Sequence, residues 1–187
     1  MPASARHRSA RRPRARAELR GVVDVVPGHE TVLLTFEAGP CPDEAVALAE
    51  AALADDHSPP ESALVELAVT YDGPDLAEVA ELASLSPEEV VARHCAVSYT
   101  AGFLGFAPGF AYLVGLDQRL HVPRRARASA APPGGTVAIA GVYSGVYPRE
   151  SPGGWRRLGC TDAVLFDASR EPPALLAAGD RVRFVAR

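Results

Sequence analysis

Two side chains in this sequence, His94 and Arg124, are of types that can move a proton or hold an anion. His94 lies near the end of a helix-like segment, where an imidazole can act as acid or base at neutral pH or bind an anion. A guanidinium such as that of Arg124 can bind a carboxylate or phosphate through two hydrogen bonds. Structural alternatives exist for both: a histidine that contacts the last carbonyls of its helix, and a solvated arginine beside Arg125 and Arg127. We predict His94 and Arg124 as candidate catalytic residues.

Two glycine-rich stretches could form the walls of a binding site around these groups. The first, Tyr99 to Leu113, reads YTAGFLGFAPGFAYL and cannot be one helix because glycines and a proline interrupt it. The second, Ala140 to Gly159, places two strand-like pieces around the turn S-P-G-G-W. Glycine at this density indicates positive φ or close backbone approach, and the aromatic residues supply flat apolar walls. We predict that the two loops face each other around a concave site; the alternative is tight barrel corners with core aromatics.

The candidate substrate-binding residues come from these two loops. Backbone amides of Gly109, Gly153 and Gly154 could form a nest for an oxyanion or a phosphate. Aromatic side chains could wall the site, although buried aromatics more often belong to a core. The full predicted set is Phe106, Pro108, Gly109, Phe110, Tyr112, Tyr143, Tyr147, Ser151, Gly153, Gly154 and Trp155.

The use of arginine and cysteine excludes several kinds of chemistry. All 19 basic residues are arginine, so the chain has no P-loop lysine, no Schiff-base lysine and no biotin attachment site. The three cysteines, Cys41, Cys95 and Cys160, have unrelated spacings, with no C-x-x-C pair and no histidine at metal-ligand spacing. We therefore expect reduced thiols, no metal site and no covalent cofactor.

Charge and hydropathy limit the possible partners and location. Residues 1–17 hold six arginines and no acidic residue, which leaves 13 arginines against 23 acidic residues in the rest of the chain. An acidic body argues against nucleic-acid binding. No run approaches the roughly 18 apolar residues of a membrane helix, and no signal-peptide pattern is present. We therefore expect the protein to have no membrane partner and to lie in the cytoplasm.

Breaker residues divide the chain into three predicted parts. Residues 1–17 are expected to be a disordered Arg-rich tail. Residues 18–62 contain two β-branched runs that read as a hairpin, then a helix from Asp43, and end in the linker H-S-P-P-E-S. Residues 63–187 begin with a strand and two helices, the second starting at Ser86 with a capping box. Short β-prone runs follow at 120–122, 136–139, 142–147, 163–166 and 181–186. Gly/Pro turns separate them, as in a barrel or a sandwich.

An ordered set of motifs resembles the family of 5-oxoprolinase B-subunits, also called PxpB/KipI, allophanate hydrolase subunit 1, or carboxyltransferase domain subdomain C/D. The similarity runs in order from about residue 64 to residue 187, with a weaker piece from about residue 18 to residue 37. Its motifs are GFAPGFAYL at 105–113, Pro123-Arg124, PGGTV at 133–137, Tyr147-Pro148, SPGGW at 151–155, and LFD at 165–167 with GDRVRF at 179–184.

The resemblance implies both a fold and an activity. The fold is mainly β with α+β: a C-terminal cyclophilin-like β-barrel preceded by a small ferredoxin-like α+β domain. That small domain looks truncated, because its opening strand and helix are not recognisable before Gly21. The implied activity is that of one component of an ATP-dependent 5-oxoprolinase, which opens the lactam of 5-oxoproline to glutamate with a larger C-subunit and an A-subunit. ATP is then a co-substrate of the complex, and the chain alone is expected to be inactive.

Two alternatives of other classes remain open. KipI-like members of the family imply an inhibitor that binds a sensor histidine kinase, and the allophanate hydrolase name implies one component of an allophanate- or urea-processing amidohydrolase. The chain also departs from the family in two places: V-Y-S-G at 142–145 replaces a usual G-Q-T-G, and Cys160 replaces a usual arginine. These departures are expected to affect activity or specificity if the replaced groups contact substrate.

Overall fold

The computed structural model describes residues 21–28, 31–39, 45–47, 63–126 and 131–187. The chain divides into two compact units, Met1–Glu61 and Ser62–Arg187. The predicted tail, the predicted linker, Cys41 and Arg127 lie outside the described residues.

In the first unit, the described residues form an antiparallel hairpin and a piece of helix. Strands β1 (Val22–Pro27) and β2 (Val32–Phe36) pair in one register from Asp24 opposite Thr35 to Pro27 opposite Val32, and the register shifts between Asp24 and Val22, which lies opposite Phe36. The turn is fixed by the Gly28 N–H, which donates to the Thr31 carbonyl at 2.7 Å. The predicted hairpin is therefore confirmed. Residues 45–47 are helical and lie in the segment predicted as a helix, and the ferredoxin-like character of this unit stays a prediction.

The residues of the second unit that the structure describes form seven strands, two α-helices and one 3₁₀ turn. These elements are β3 (Leu64–Val69), α1 (Leu76–Ala83), α2 (Pro87–Ala96), β4 (Tyr99–Leu104), β5 (Ala111–Val114), the 3₁₀ turn Gln118–Leu120, β6 (Thr136–Ala140), β7 (Tyr143–Val146), β8 (Arg156–Cys160) and β9 (Arg181–Ala186). Among the described residues, no helix combines the length and the apolar character that a bilayer span requires.

The seven strands form one sheet that curls into a nearly closed barrel. Their order is β3-β9-β4-β5-β7-β6-β8, with β3 and β9 parallel and every other neighbouring pair antiparallel. The two ends of this order meet just beyond β3, where Thr70 and Cys160 exchange both backbone hydrogen bonds at 2.9 Å. The predicted mainly-β barrel class is confirmed.

Side chains that point inward from the strands fill the barrel interior. In β9, Val182 and Phe184 are buried while Arg181 and Arg183 are exposed, which is the period-two pattern of a half-buried strand. Strand β6 is buried along its whole length. The two helices pack Val79, Val90 and His94 into the same core.

Helix α2 begins where the sequence predicts it. The Ser86 hydroxyl accepts from the Glu89 N–H at 3.2 Å, and the Glu89 carboxylate accepts from the Ser86 N–H at 2.7 Å. Proline occupies the first turn, where its missing N–H costs no helical hydrogen bond. The predicted capping box is confirmed.

Two predicted strands in the second unit are wrong. In place of the strand predicted at 120–122, Leu120 ends a 3₁₀ turn and residues 121–122 are irregular. The Asp117 side chain accepts from the Arg119 N–H at the start of the turn, and Leu120 and Val122 are buried in the core. Residues 163–166 form only an isolated bridge, between Phe166 and Ala174. In both short apolar runs, side chains outside any strand contribute to the core.

Candidate functional site

A cavity of about 340 Å³ lies between the two glycine-rich loops of the barrel. Its walls are mostly aromatic, with one arginine. The lining residues are Phe106, Phe110, Tyr112, Arg124, Ala140, Gly141, Tyr143, Tyr147, Gly153 and Trp155. A volume of this size is at the lower end of the range of roughly 300–1,000 Å³ that small-molecule sites occupy.

Edge-to-face aromatic contacts join the two loops. Phe110 of the first loop meets Trp155 and Tyr147 of the second, with ring centroids 5.5 and 5.7 Å apart. Phe106 meets Tyr147 at 6.0 Å. These distances and near-perpendicular ring planes are the favoured geometry of aromatic pairs. The prediction that the two loops face each other is confirmed.

Aromatic rings lie close against the backbone at Gly153 and Gly145, where a side chain would crowd them. A Cβ at Gly153 would sit 2.1 Å from the Tyr147 hydroxyl oxygen. A Cβ at Gly145 would sit 3.0 Å from the Phe110 ring and 3.1 Å from the Trp155 ring. Small residues therefore allow the aromatic wall to close over the backbone of β7 and the 151–155 turn.

Phe106 stands at the cavity with an unusual backbone conformation. Its φ is +67°, in the left-handed region that non-glycine residues seldom occupy. The side chain is 56% exposed and also contacts Phe110 at 5.2 Å. A large aromatic residue held in this conformation is partly available to a ligand.

Arg124 supplies the cationic group of the cavity lining. Its side chain is exposed, and among the described residues no carboxylate forms an ion pair with it. Its charge acts on the neighbouring Tyr147: burial raises the pKa of that phenol, while a hydrogen bond with the Trp155 backbone and the charge of Arg124 oppose the rise. The guanidinium is thus available to an anionic ligand.

His94 lies in the barrel interior, away from the cavity lining. Its side chain is 0% exposed and stacks on Phe184 with ring centroids 4.5 Å apart. Its Nδ1 is 2.7 Å from the Tyr71 hydroxyl and its Nε2 is 2.9 Å from the Ser144 hydroxyl. Burial lowers the pKa of His94 to about 3, so the ring is neutral at pH 7. The structure does not bring this predicted catalytic residue to the cavity.

The other predicted residues divide into two groups. Phe106, Phe110, Tyr112, Tyr143, Tyr147, Gly153 and Trp155 line the cavity together with Arg124. Pro108, Gly109, Ser151 and Gly154 are absent from the lining. Binding by any of these residues stays a prediction.

Three of the four residues outside the lining have clear structural contacts. Gly109, with φ +82°, leaves room for the 165–166 backbone, since a Cβ there would lie 2.7 Å from the Cβ of Phe166. The Ser151 hydroxyl donates to the Arg149 carbonyl at 3.3 Å, and the Gly154 carbonyl accepts from the Arg125 N–H at 2.9 Å.

Sequence reasoning missed two lining residues, Ala140 and Gly141. They end β6 and begin the two-residue turn to β7, in which Gly141 has φ +56°. A glycine with positive φ in a two-residue hairpin is a recognisable signal. In the part of the chain that the structure describes, no three His, Cys, Asp or Glu side chains group as a metal site, and Cys95 and Cys160 are free.

The fold and the cavity together define a β-barrel domain with an aromatic-walled site of small-molecule size. The chain belongs to the family described as carboxyltransferase domain, subdomain C and D, which matches residues 2–176. The predicted family is confirmed.

Named relatives agree with this assignment. The chain is 50% identical over 129 residues to the 5-oxoprolinase B-subunit of Escherichia coli O157:H7, covering 67% of this chain and 59% of the relative. It is 47% identical over 125 residues to the 5-oxoprolinase B-subunit of Bacillus subtilis, covering 65% of this chain and 52% of the relative. The chain thus spans little more than half the length of these relatives.

A solved structure shows a similar fold. The crystal structure of a conserved uncharacterized protein from Pyrococcus horikoshii matches with a TM-score of 0.64 and 31% identity. The match covers 93% of this chain and 82% of that protein.

Proposed function

We propose that this chain is a non-autonomous component of an ATP-dependent 5-oxoprolinase, which opens the lactam of 5-oxoproline to glutamate together with a larger C-subunit and an A-subunit. The observation that carries the proposal is the aromatic cavity with Arg124 in its lining. The names of the E. coli and B. subtilis relatives support it.

The cavity suits the chemistry of this substrate. 5-Oxoproline is a compact five-membered ring with one carboxylate. Phe110, Tyr112 and Trp155 offer apolar surfaces to the ring, while the guanidinium of Arg124 can bind the carboxylate through two parallel hydrogen bonds. A small cyclic carboxylate therefore fits both the shape and the charge of the site.

Opening a lactam requires activation of a poor electrophile. Transfer of the γ-phosphoryl group of ATP to the amide oxygen activates the ring carbon, and overall one 5-oxoproline, one ATP and two waters give glutamate, ADP and phosphate. The chain has no lysine for a P-loop, so we assign it the binding and orientation of the ring and assign ATP handling to the assembled complex. Orientation of the ring relative to the phosphoryl donor is the contribution expected of this chain.

The test is reconstitution with the A- and C-subunits and measurement of ATP-dependent glutamate formation. We expect no turnover by the chain alone, and we expect Arg124→Ala to lower kcat/KM of the complex by about 10²-fold, the scale for loss of a positioned charged group. The matched control is Arg183→Ala, because Arg183 is half exposed on β9 and pairs only loosely with Glu66 at 3.5 Å.

Two results would count against the proposal. One is robust turnover by the single purified chain. The other is an Arg124→Ala complex that assembles and turns over like the wild type, which would point to loops that bind a protein, as an inhibitor of a kinase would use them.

A further inference from the structure

A cluster of two carboxylates and three arginines lies behind Arg124. Asp75, which is 2% exposed, precedes helix α1 and accepts hydrogen bonds from both the backbone N–H and the Nε of Arg157 at 2.9 Å. Its other oxygen is 3.0 Å from the guanidinium of Arg125. Asp75 therefore joins the start of α1 to β8 and to the residue that follows Arg124.

Glu78, one turn further along α1, makes a second set of contacts. Its carboxylate forms ion pairs with Arg125 and with Arg156, the latter at 2.5 Å. Arg156 in turn donates from Nε to the carbonyl of Pro123 at 3.1 Å. Glu78 thus reaches the residues on both sides of Arg124, through Arg125 on one side and through Arg156 on the other.

Backbone contacts complete the support of this segment. The Arg125 N–H donates to the Gly154 carbonyl at 2.9 Å, and a Cβ at Gly154 would lie 3.1 Å from the Arg125 carbonyl oxygen. Residue 125 is therefore tied to the Gly154 backbone and to the start of α1, and residue 123 is tied to the side chain of Arg156. Arg124, between them, is the arginine of this segment that lines the cavity.

The ionisation of the two carboxylates fits this arrangement. Burial alone would raise the pKa of Asp75, but hydrogen bonds from Arg157 and the charges of Arg157 and Arg125 hold it below its usual value. The guanidinium groups of Arg156 and Arg125 lower the pKa of Glu78. Both carboxylates are charged at neutral pH and form ion pairs with arginines other than Arg124. Three arginines against two carboxylates also leave one net positive charge beside the cavity, which favours an anionic ligand.

We propose that Glu78 and Asp75 are positioning residues: through Arg125 and Arg156 they hold residues 123–125 against β8, so that the Arg124 guanidinium is preorganised at the cavity for an anionic group. The expected effect on kinetics rests on the proposed function. The ordering of Arg124 by Glu78 does not depend on the identity of the substrate. A network that only fastens α1 to the barrel would stabilise the fold without affecting Arg124.

A double-mutant cycle in the reconstituted complex separates these two roles. Because Glu78 is 43% exposed, Glu78→Gln is expected to fold, and it keeps the size of the side chain while removing its charge. We expect KM for 5-oxoproline to rise about tenfold, since a loosened guanidinium loses orientation. In the Arg124→Ala background the same substitution should add nothing, because both changes act through one group. Glu66→Gln is the control for the change of chemistry, since Glu66 is also a half-exposed carboxylate and pairs with Arg183 of β9 rather than with the arginines near Arg124.

A second measurement on the isolated chain needs no substrate. The Nε–H resonance of Arg124, assigned by its loss in Arg124→Ala, should show a lower heteronuclear NOE in Glu78→Gln than in the wild type or in Glu66→Gln. An unchanged NOE, or additive losses of kcat/KM in the double variant, would overturn the positioning role. If Arg124→Ala leaves turnover unchanged while the NOE still falls in Glu78→Gln, the proposed function fails and the positioning role stands.

Discussion

At the scale of single residues, the chemistry of His94 is set by burial. The imidazole joins the Tyr71 hydroxyl to the Ser144 hydroxyl, and the Tyr71 oxygen also lies 3.3 Å from the Cys95 sulfur. Desolvation lowers the pKa of His94 to about 3 and raises the pKa of Tyr71, so both are neutral at physiological pH. Ser144 adjoins Tyr143, which lines the cavity, so His94 supports the strand behind the site.

The depressed pKa of His94 predicts an acid-dependent loss of stability. The unfolded chain protonates this histidine near pH 6.5, whereas the folded protein protonates it only near pH 3. Stability is therefore fully present above pH 6.5 and falls as pH decreases below it, with a slope that approaches about 1.4 kcal/mol per pH unit.

Urea unfolding at a series of pH values between about 7 and about 5, above the range where carboxylates mainly titrate, measures this slope. We expect His94→Gln to lose it and His121→Gln, which removes an exposed histidine, to retain it. Equal slopes in the wild type and in His94→Gln would contradict the assignment.

At this scale the sequence carried a local signal for the cavity but not for long-range contacts. Glycine and aromatic residues alternate within each loop, so the sequence could predict that Phe110, Tyr147 and Trp155 lie around one cavity; their role in binding stays a prediction. The partners of His94 lie 23 and 50 positions away, and the Asp75–Arg157 contact joins residues 82 positions apart. Such contacts depend on how the strands and helices pack, which local composition does not specify.

At the scale of elements, helix α2 shows how a local capping signal at its start helps to position a residue further along the helix. Its capping box fixes the start of the helix at Ser86. Further along, α2 places His94 in the core, where the Tyr99 hydroxyl donates to the His94 carbonyl at 2.9 Å. The end of α2 is therefore tied to the beginning of β4.

We predict that Ser86→Ala lowers the free energy of unfolding by about 1 kcal/mol, because the Glu89 N–H loses its side-chain acceptor at the helix start. Ser86→Thr keeps a hydroxyl and should recover most of the loss. Chemical denaturation of the three proteins measures the effect. A loss of the same size in Ser86→Thr would mean that packing, rather than capping, accounts for it.

The element predictions failed where a short apolar run had two possible explanations. The runs at 120–122 and 163–166 have strand-like composition, yet Leu120 enters the core from a 3₁₀ turn and Val122 and Leu165 enter it from loops. A run of three or four apolar residues cannot distinguish a strand from a buried loop by periodicity. The predictions were correct for the β1–β2 hairpin, for the capped helix α2 and for strands β6, β7 and β9.

At the scale of the second unit, the barrel depends on one seam between the segment after β3 and strand β8. Thr70 pairs with Cys160, and the Gly73 N–H donates to the Leu158 carbonyl at 3.0 Å. Glycines allow this close approach: a Cβ at Gly73 would lie 2.3 Å from the Arg157 carbonyl oxygen. The sequence indicated a closed barrel, but it could not indicate which strands meet, because the seam joins residues about 90 positions apart.

Gly159→Ala tests whether this seam holds the barrel together. A Cβ at position 159 would lie 2.1 Å from the Thr70 carbonyl oxygen and 2.9 Å from the Tyr71 Cα. These are backbone atoms that cannot rotate away, so the two segments must separate and the hydrogen bonds between Thr70 and Cys160 must weaken. We expect a loss of about 3 kcal/mol in the free energy of unfolding. Relative to the wild type, hydrogen exchange should accelerate more at the Thr70 and Cys160 amides than elsewhere in the barrel.

Gly105→Ala makes the same chemical change where a Cβ would meet only the Tyr112 ring at an ordinary 3.8 Å, so it should change stability by no more than about 0.5 kcal/mol. Equal stability of the two variants would show that the seam is open in solution. In that case β3 and β8 would be the free edges of an incomplete barrel, and Asp75, which reaches Arg157 across this seam, would lose its place in the support of Arg124.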